Sequence, residues 1–197
     1  MSITRQPAGG GRPTRLRPGA GLTLLELLMA LAISAVLTGI SVQPAREFLA
    51  ARQTAPVVAS LRSALWLARS EALKRGEQVS VCPLDPAAGE AAAVCLHGLD
   101  WSAGWLVFVD RGERGVLEQG DVLLQAEVAL AHAPQITSTM RVYSFQPTGI
   151  SLNAASHIDV LPEGVPRDRL DRPGVRRVCV NKPGRTRVLP GGEPCAS

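Results

Sequence analysis

Four groups of residues in this 197-residue chain have types and spacings that could do chemistry. The first is a single carboxylate, Glu26, in the otherwise uncharged run Leu22–Val42. A carboxylate inside a membrane helix costs about 2.5–3.5 kcal/mol at full depth, so it normally has a partner or a function. The bland alternative is an interfacial Glu eased by the positive helix N-terminus. The second group is four cysteines, Cys82, Cys95, Cys179 and Cys195. The third is a C-terminal set of cations, Arg176, Arg177, Lys182, Arg185 and Arg187. The fourth is an acidic, Gly-rich stretch holding Asp110, Glu113, Glu118 and Asp121. Oxygen ligands at that density suit Ca²⁺. Their spacing is not that of an EF-hand, and a solvated hairpin loop explains them as well.

No enzyme, cofactor or metal site is expected. The chain has no G-x-S-x-G, no G-x-x-x-x-G-K-[ST], no H-E-x-x-H and no G-x-G-x-x-G after a strand. His97, His132 and His157 are scattered. His157 and Asp159 would share a strand face, but no nucleophile motif goes with them. A zinc site built from the four cysteines lacks any C-x-x-C knuckle.

The elements that must position these groups follow from charge and periodicity. The formal net charge is +4, and residues 1–21, with Arg5, Arg12, Arg15 and Arg17 and no acid, carry all of it. The remainder is neutral but uneven. Residues 76–166 hold three bases and eleven acids, whereas 167–197 hold eight bases and three acids. A nucleic-acid reading from whole-chain pI therefore fails, and only a local one survives. The Gly-, Pro- and Arg-rich leader has no apolar period and predicts no stable element. Leu22–Val42 makes a helix of roughly 31 Å, enough to cross a bilayer core, with the basic flank on the cytoplasmic side. Pro44 predicts a kink, and Thr54 before Pro56 predicts a second break with Thr54 as N-cap. Val58, Leu61, Leu65, Ala68 and Ala72 form one apolar stripe, Glu71 and Arg75 an i,i+4 pair, and Gly76 the end of the helix. Short β-like runs follow at 78–82, 105–109, 122–130, 136–145, 149–152, 157–161, 175–181 and 185–189.

Gly21-Leu22-Thr23-Leu24-Leu25-Glu26-Leu27-Leu28 resembles the class III signal of type IV prepilins and type II secretion pseudopilins. The resemblance implies cleavage between Gly21 and Leu22 by a membrane prepilin peptidase, and N-methylation of Leu22. It also implies that Glu26 meets the N-terminal amine of a neighbouring subunit during filament assembly. The segments Trp66–Pro83, Trp101–Asp110 and Cys179–Arg187 are similar to the narrower GspH/FimT group, which holds pseudopilin H and FimT-type minor pilins. That group implies an α+β, type IV pilin-like fold, with a long N-terminal helix packed on a mainly antiparallel β-sheet domain. The expected division is leader 1–21, filament-core helix 22–42, amphipathic helix 43–75 and β-rich domain 76–197. The expected location is the bacterial inner membrane, single-pass with a cytoplasmic N-terminus, and then the filament. Partners are the peptidase, other minor pilins or pseudopilins, membrane lipid and, in one reading, DNA.

All four cysteines would then lie in the periplasm, where disulfides persist. Four cysteines allow three pairings, and the two local bridges, Cys82–Cys95 and Cys179–Cys195, are preferred. In FimT-type pilins a C-terminal Gly-Arg-x-Arg element is implied in DNA binding, and Gly184-Arg185-Thr186-Arg187 matches it. Arg185 and Arg187 would share a strand face, which suits successive phosphates. An ordinary charged strand edge is the equal alternative. Aromatic stacking platforms are lacking, so any binding should be sequence-independent and salt-sensitive.

Overall fold

The computed structural model describes residues 23–88, 93–129, 133–153 and 155–195, and of 37–47 the backbone alone. The leader 1–21, Leu22 and His132 lie outside the described residues. The chain divides into two units, Met1–Val42 and Gln43–Ser197.

One α-helix, α1, runs over Leu24–Arg75. In the first unit its described side chains are exposed, among them Leu24, Leu25, Leu27, Leu28, Met29, Leu31, Ile33 and Val36. A helix apolar on all sides is one that must be covered by lipid or protein. Among the described residues no helix is long and apolar enough to cross a membrane. Of the span expected at 22–42, described side chains reach only from Thr23 to Val36, about 21 Å of helix at 1.5 Å per residue.

In the second unit the stripe at three- and four-residue spacing is the buried face. Val58, Leu61, Ala64, Leu65, Ala68 and Ala72 are all core residues. The break expected at Pro56 is absent, because helix continues through it. A proline inside a helix costs about 3 kcal/mol, and tertiary contacts on either side hold the turn. Val58 is buried, and the Thr54 hydroxyl is no N-cap but donates to the Gly174 carbonyl at 2.7 Å, 120 residues away. The helix ends where Gly76 takes a positive φ of 65°, a conformation that suits a C-terminal cap.

Eight strands follow: β1 Val79–Pro83, β2 Gly104–Val109, β3 Val122–Val128, β4 Gln135–Ser138, β5 Tyr143–Phe145, β6 Ser156–Leu161, β7 Arg176–Val180 and β8 Thr186–Pro190. They form two four-stranded antiparallel sheets, ordered β3-β2-β1-β5 and β4-β6-β7-β8. The run expected at 136–145 is two strands in different sheets. The run at 149–152 is a loop with one isolated β-bridge, between Phe145 and Ser151. The period of two sets which side chains meet α1. Val79, Val81, Trp105, Val107, Tyr143 and Phe145 from the first sheet, with Ile158, Val160, Val178 and Val180 from the second, join the helix stripe in one core. Trp101 and Tyr143 meet edge to face there, with ring centroids 5.6 Å apart.

Each sheet also has its outer face covered near a cysteine pair. On the first, Leu106, Phe108, Cys82 and Cys95 form a second apolar cluster, so β1 and β2 are buried on both faces. On the second, Cys179 in β7 is joined to Cys195 near the C-terminus.

Candidate functional site

Glu26 lies in the first turn of α1. Thr23 caps that turn: its carbonyl accepts from Leu27 N, and its Oγ1 accepts from Glu26 N at 3.2 Å. Thr23-x-x-Glu26 is the spacing of a capping box, a signal present in the sequence and missed there. The Glu26 side chain is exposed, surrounded on the helix by exposed leucines. The cleavage and methylation positions, Gly21 and Leu22, are outside the described residues.

The cysteines pair as Cys82–Cys95 and Cys179–Cys195, and no free cysteine is present.

The five C-terminal cations do not form one patch. Arg177 is buried. Its guanidinium donates from Nε to Asp159 Oδ1 at 2.7 Å and from Nη2 to Oδ2 at 2.9 Å, and its Nη1 donates to the Glu193 carbonyl at 2.8 Å. It is removed from the candidate DNA-binding set because all three of its nitrogens are already bonded inside the fold. Arg176 has the opposite side-chain parity, is half-buried and sits opposite Pro190. Lys182, Arg185 and Arg187 are exposed around the β7–β8 turn. That turn is closed by Asn181 N to the Arg185 carbonyl at 3.1 Å, and by Arg185 N to Asn181 Oδ1 at 2.8 Å. Among the described residues none of these three side chains is in an ion pair. The surviving site is thus the hairpin, not the whole C-terminal run.

His157 and Asp159 do share a face, with Nε2 3.6 Å from Oδ2. Partial burial, and then the nearby Arg177 charge, hold the imidazole below its ordinary value, against the pull of Asp159. Asp159 is engaged with Arg177 on both oxygens, so the pair lacks the free carboxylate that a catalytic dyad would use.

The acidic stretch bonds to its own backbone. Asp110 is buried, and its Oδ2 accepts from Gln78 Nε2 at 3.1 Å, Gly115 N at 2.9 Å and the Ser80 hydroxyl. Asp121 accepts from Arg111 N at 2.8 Å and Glu118 N at 2.9 Å. Asp110 Oδ1 is buried without a partner. Among the described residues no group of three or more His, Cys, Asp or Glu gathers to hold a metal.

Two family models match. Residues 57–184 match the type II transport protein GspH, and residues 17–42 match the prokaryotic N-terminal methylation motif. The first alone covers more than half of the 197 residues. The chain belongs to the GspH family. No curated protein matches it. Among solved structures, the type IV minor pilin FimU of Pseudomonas aeruginosa in space group P21 shares 18% identity. The alignment covers 74% of this chain and 95% of that one, at a TM-score of 0.52. A second crystal form of FimU, in space group P65, aligns at 19% identity over 71% and 94%, at a TM-score of 0.47. At such identity the first of these speaks to fold alone, and it agrees with the helix-on-antiparallel-sheet architecture. This GspH-family chain is therefore a minor pilin or pseudopilin type of protein carrying a methylation motif, and its family and fold are those of structural subunits.

Proposed function

We propose that the chain is a minor subunit of an envelope-spanning filament, held first in the inner membrane by residues 22–42 and then drawn into the filament by Glu26. The observation that carries this reading is an exposed carboxylate in the first turn of α1, set among exposed apolar side chains from Leu24 to Val36 and inside a matched methylation motif. Prepilin peptidase cuts after Gly21, and Leu22 is methylated. Glu26 becomes the fifth residue of the mature chain. In a bundle of apolar helices an amine and a carboxylate neutralise each other, whereas either alone is costly. Glu26→Ala tests the assembly role. The variant should be processed normally yet absent from sheared filaments. Normal incorporation would sink the role.

A second reading places the filament in DNA uptake, and the exposure of Lys182, Arg185 and Arg187 on one hairpin favours it. DNA contacts made only to phosphates weaken steeply with salt. Full-length protein in detergent micelles should bind DNA in the micromolar range without sequence preference. Arg185→Ala with Arg187→Ala should lower that affinity and flatten its salt dependence. Unchanged binding by that variant excludes the hairpin. Without DNA binding, the hairpin is an ordinary charged sheet edge, and type II secretion becomes the better home for the filament.

A further inference from the structure

Trp66 is 67% exposed, whereas the other two tryptophans, Trp101 and Trp105, are buried. A single exposed apolar side chain needs no explanation. Trp66 is not single. Arg62, Arg69 and Leu73 stand at the three-, four- and seven-residue spacings that align side chains along one stripe of a helix, and Arg62 and Leu73 are also exposed. The β7–β8 hairpin sits against the same stripe. Arg69 Nε donates to the Gly149 carbonyl at 3.1 Å. A Cβ at Gly184, in the hairpin turn, would lie 3.1 Å from that same Nε and 2.5 Å from the Gly149 oxygen. A Cβ at Gly149 would lie 3.1 Å from the Leu73 side chain. Ser151 N donates to the Lys182 carbonyl at 3.0 Å, tying the turn to the Gly149 loop.

The hairpin turn therefore meets the helix stripe at Arg69, one helical turn from the exposed indole of Trp66. No acid occurs from Asn181 to Gly192, and none is in the stripe. Trp66 is distant from the hairpin in sequence but stands three residues from Arg69, which the hairpin turn reaches.

We propose that this surface takes a single-stranded nucleic acid, with phosphates on Lys182, Arg185 and the helix arginines and one unstacked base lying on the Trp66 indole. The proposal rests on the second reading above and adds a strand preference to it. Cations attract any phosphate backbone, single or double. Stacking on an aromatic ring needs a base face that a duplex already covers with its neighbours. Trp66 is thus the element that separates the two substrates.

The test uses full-length protein in detergent micelles, with an oligothymidylate of about 20 nucleotides and a duplex of the same length, lengths that span a typical single-strand site. Because Trp101 and Trp105 are buried, a base can reach Trp66 alone, so a quench of the intrinsic fluorescence reports contact at Trp66. The single strand should quench it and bind about 10-fold tighter than the duplex, the order of effect one stacked base produces. Trp66→Ala should abolish quench and preference while leaving duplex affinity unchanged, and Trp66→Phe should restore part of the preference. Equal affinity for both substrates in the parent, or a preference that survives Trp66→Ala, overturns the proposal. So does a Trp66→Ala variant that keeps its nucleic-acid binding but fails to enter filaments, since the stripe is then a subunit interface. Arg185→Ala with Arg187→Ala separates the two levels. If it leaves every affinity unchanged, the second reading falls and this proposal with it. If it weakens both substrates while Trp66→Ala changes neither, the DNA reading stands and the Trp66 platform falls.

Discussion

Arg176 and Arg177 are neighbours in sequence with different work. One turns its side chain to the face opposite Asp159, and the other makes a two-pronged ion pair with Asp159 beneath the C-terminal segment. A buried pair that loses one member leaves an uncompensated charge and typically costs about 3–5 kcal/mol. Asp159→Asn should therefore lower the unfolding free energy of the oxidised protein, read from urea melts, by that much, whereas Arg176→Ala should barely move it. His157, beside the pair, makes a pH prediction. Its folded-state pKa is held below the ordinary 6.5, chiefly by burial. The unfolded chain therefore takes up the proton first, and stability falls as pH drops through 6.5 toward the folded value. His157→Gln should shrink the loss of unfolding free energy between about pH 7 and pH 5, measured in parallel melts. At this scale the sequence was only half legible. Alternation shows that 176 and 177 face opposite ways. It does not show which face is covered, because that depends on a partner strand 18 residues upstream and on a tail held by a disulfide.

The elements were more legible where a period decides them. The stripe from Val58 to Ala72 is the buried face of α1, and the spacing of four cysteines favours the two bridges that are present. Where tertiary contact overrides local preference, the reading fails. Pro56 does not break the helix, and Thr54 finds its acceptor at Gly174 rather than in a cap. Ile150 and Leu152 look like strand residues, but their loop is shaped by its seat on Arg69 and Leu73. The second bridge closes a loop of 16 residues around the C-terminus. In the chain-entropy model such a loop is worth about 3 kcal/mol. Cys179→Ser with Cys195→Ser should lower the unfolding free energy by that order. It should also free the Glu193 carbonyl from Arg177, read as faster amide exchange over 191–195.

At the scale of the whole chain, charge and apolarity are kept in different places. All of the net +4 sits in residues 1–21, the exposed apolar side chains of α1 follow, and the sheets of the second unit carry an acidic loop and a basic hairpin. Removal of the leader would leave a neutral subunit whose polar chemistry is local, which is why whole-chain pI misleads about its partners. The filament account turns on that removal and on the position it gives Glu26, fifth from the new amine. Tandem mass spectrometry of the N-terminal peptide from the filament fraction tests it most directly. The account predicts an N-methylated Leu22 as first residue. A chain that begins at Met1, or one cut after Ala32 and so lacking Glu26, would contradict it.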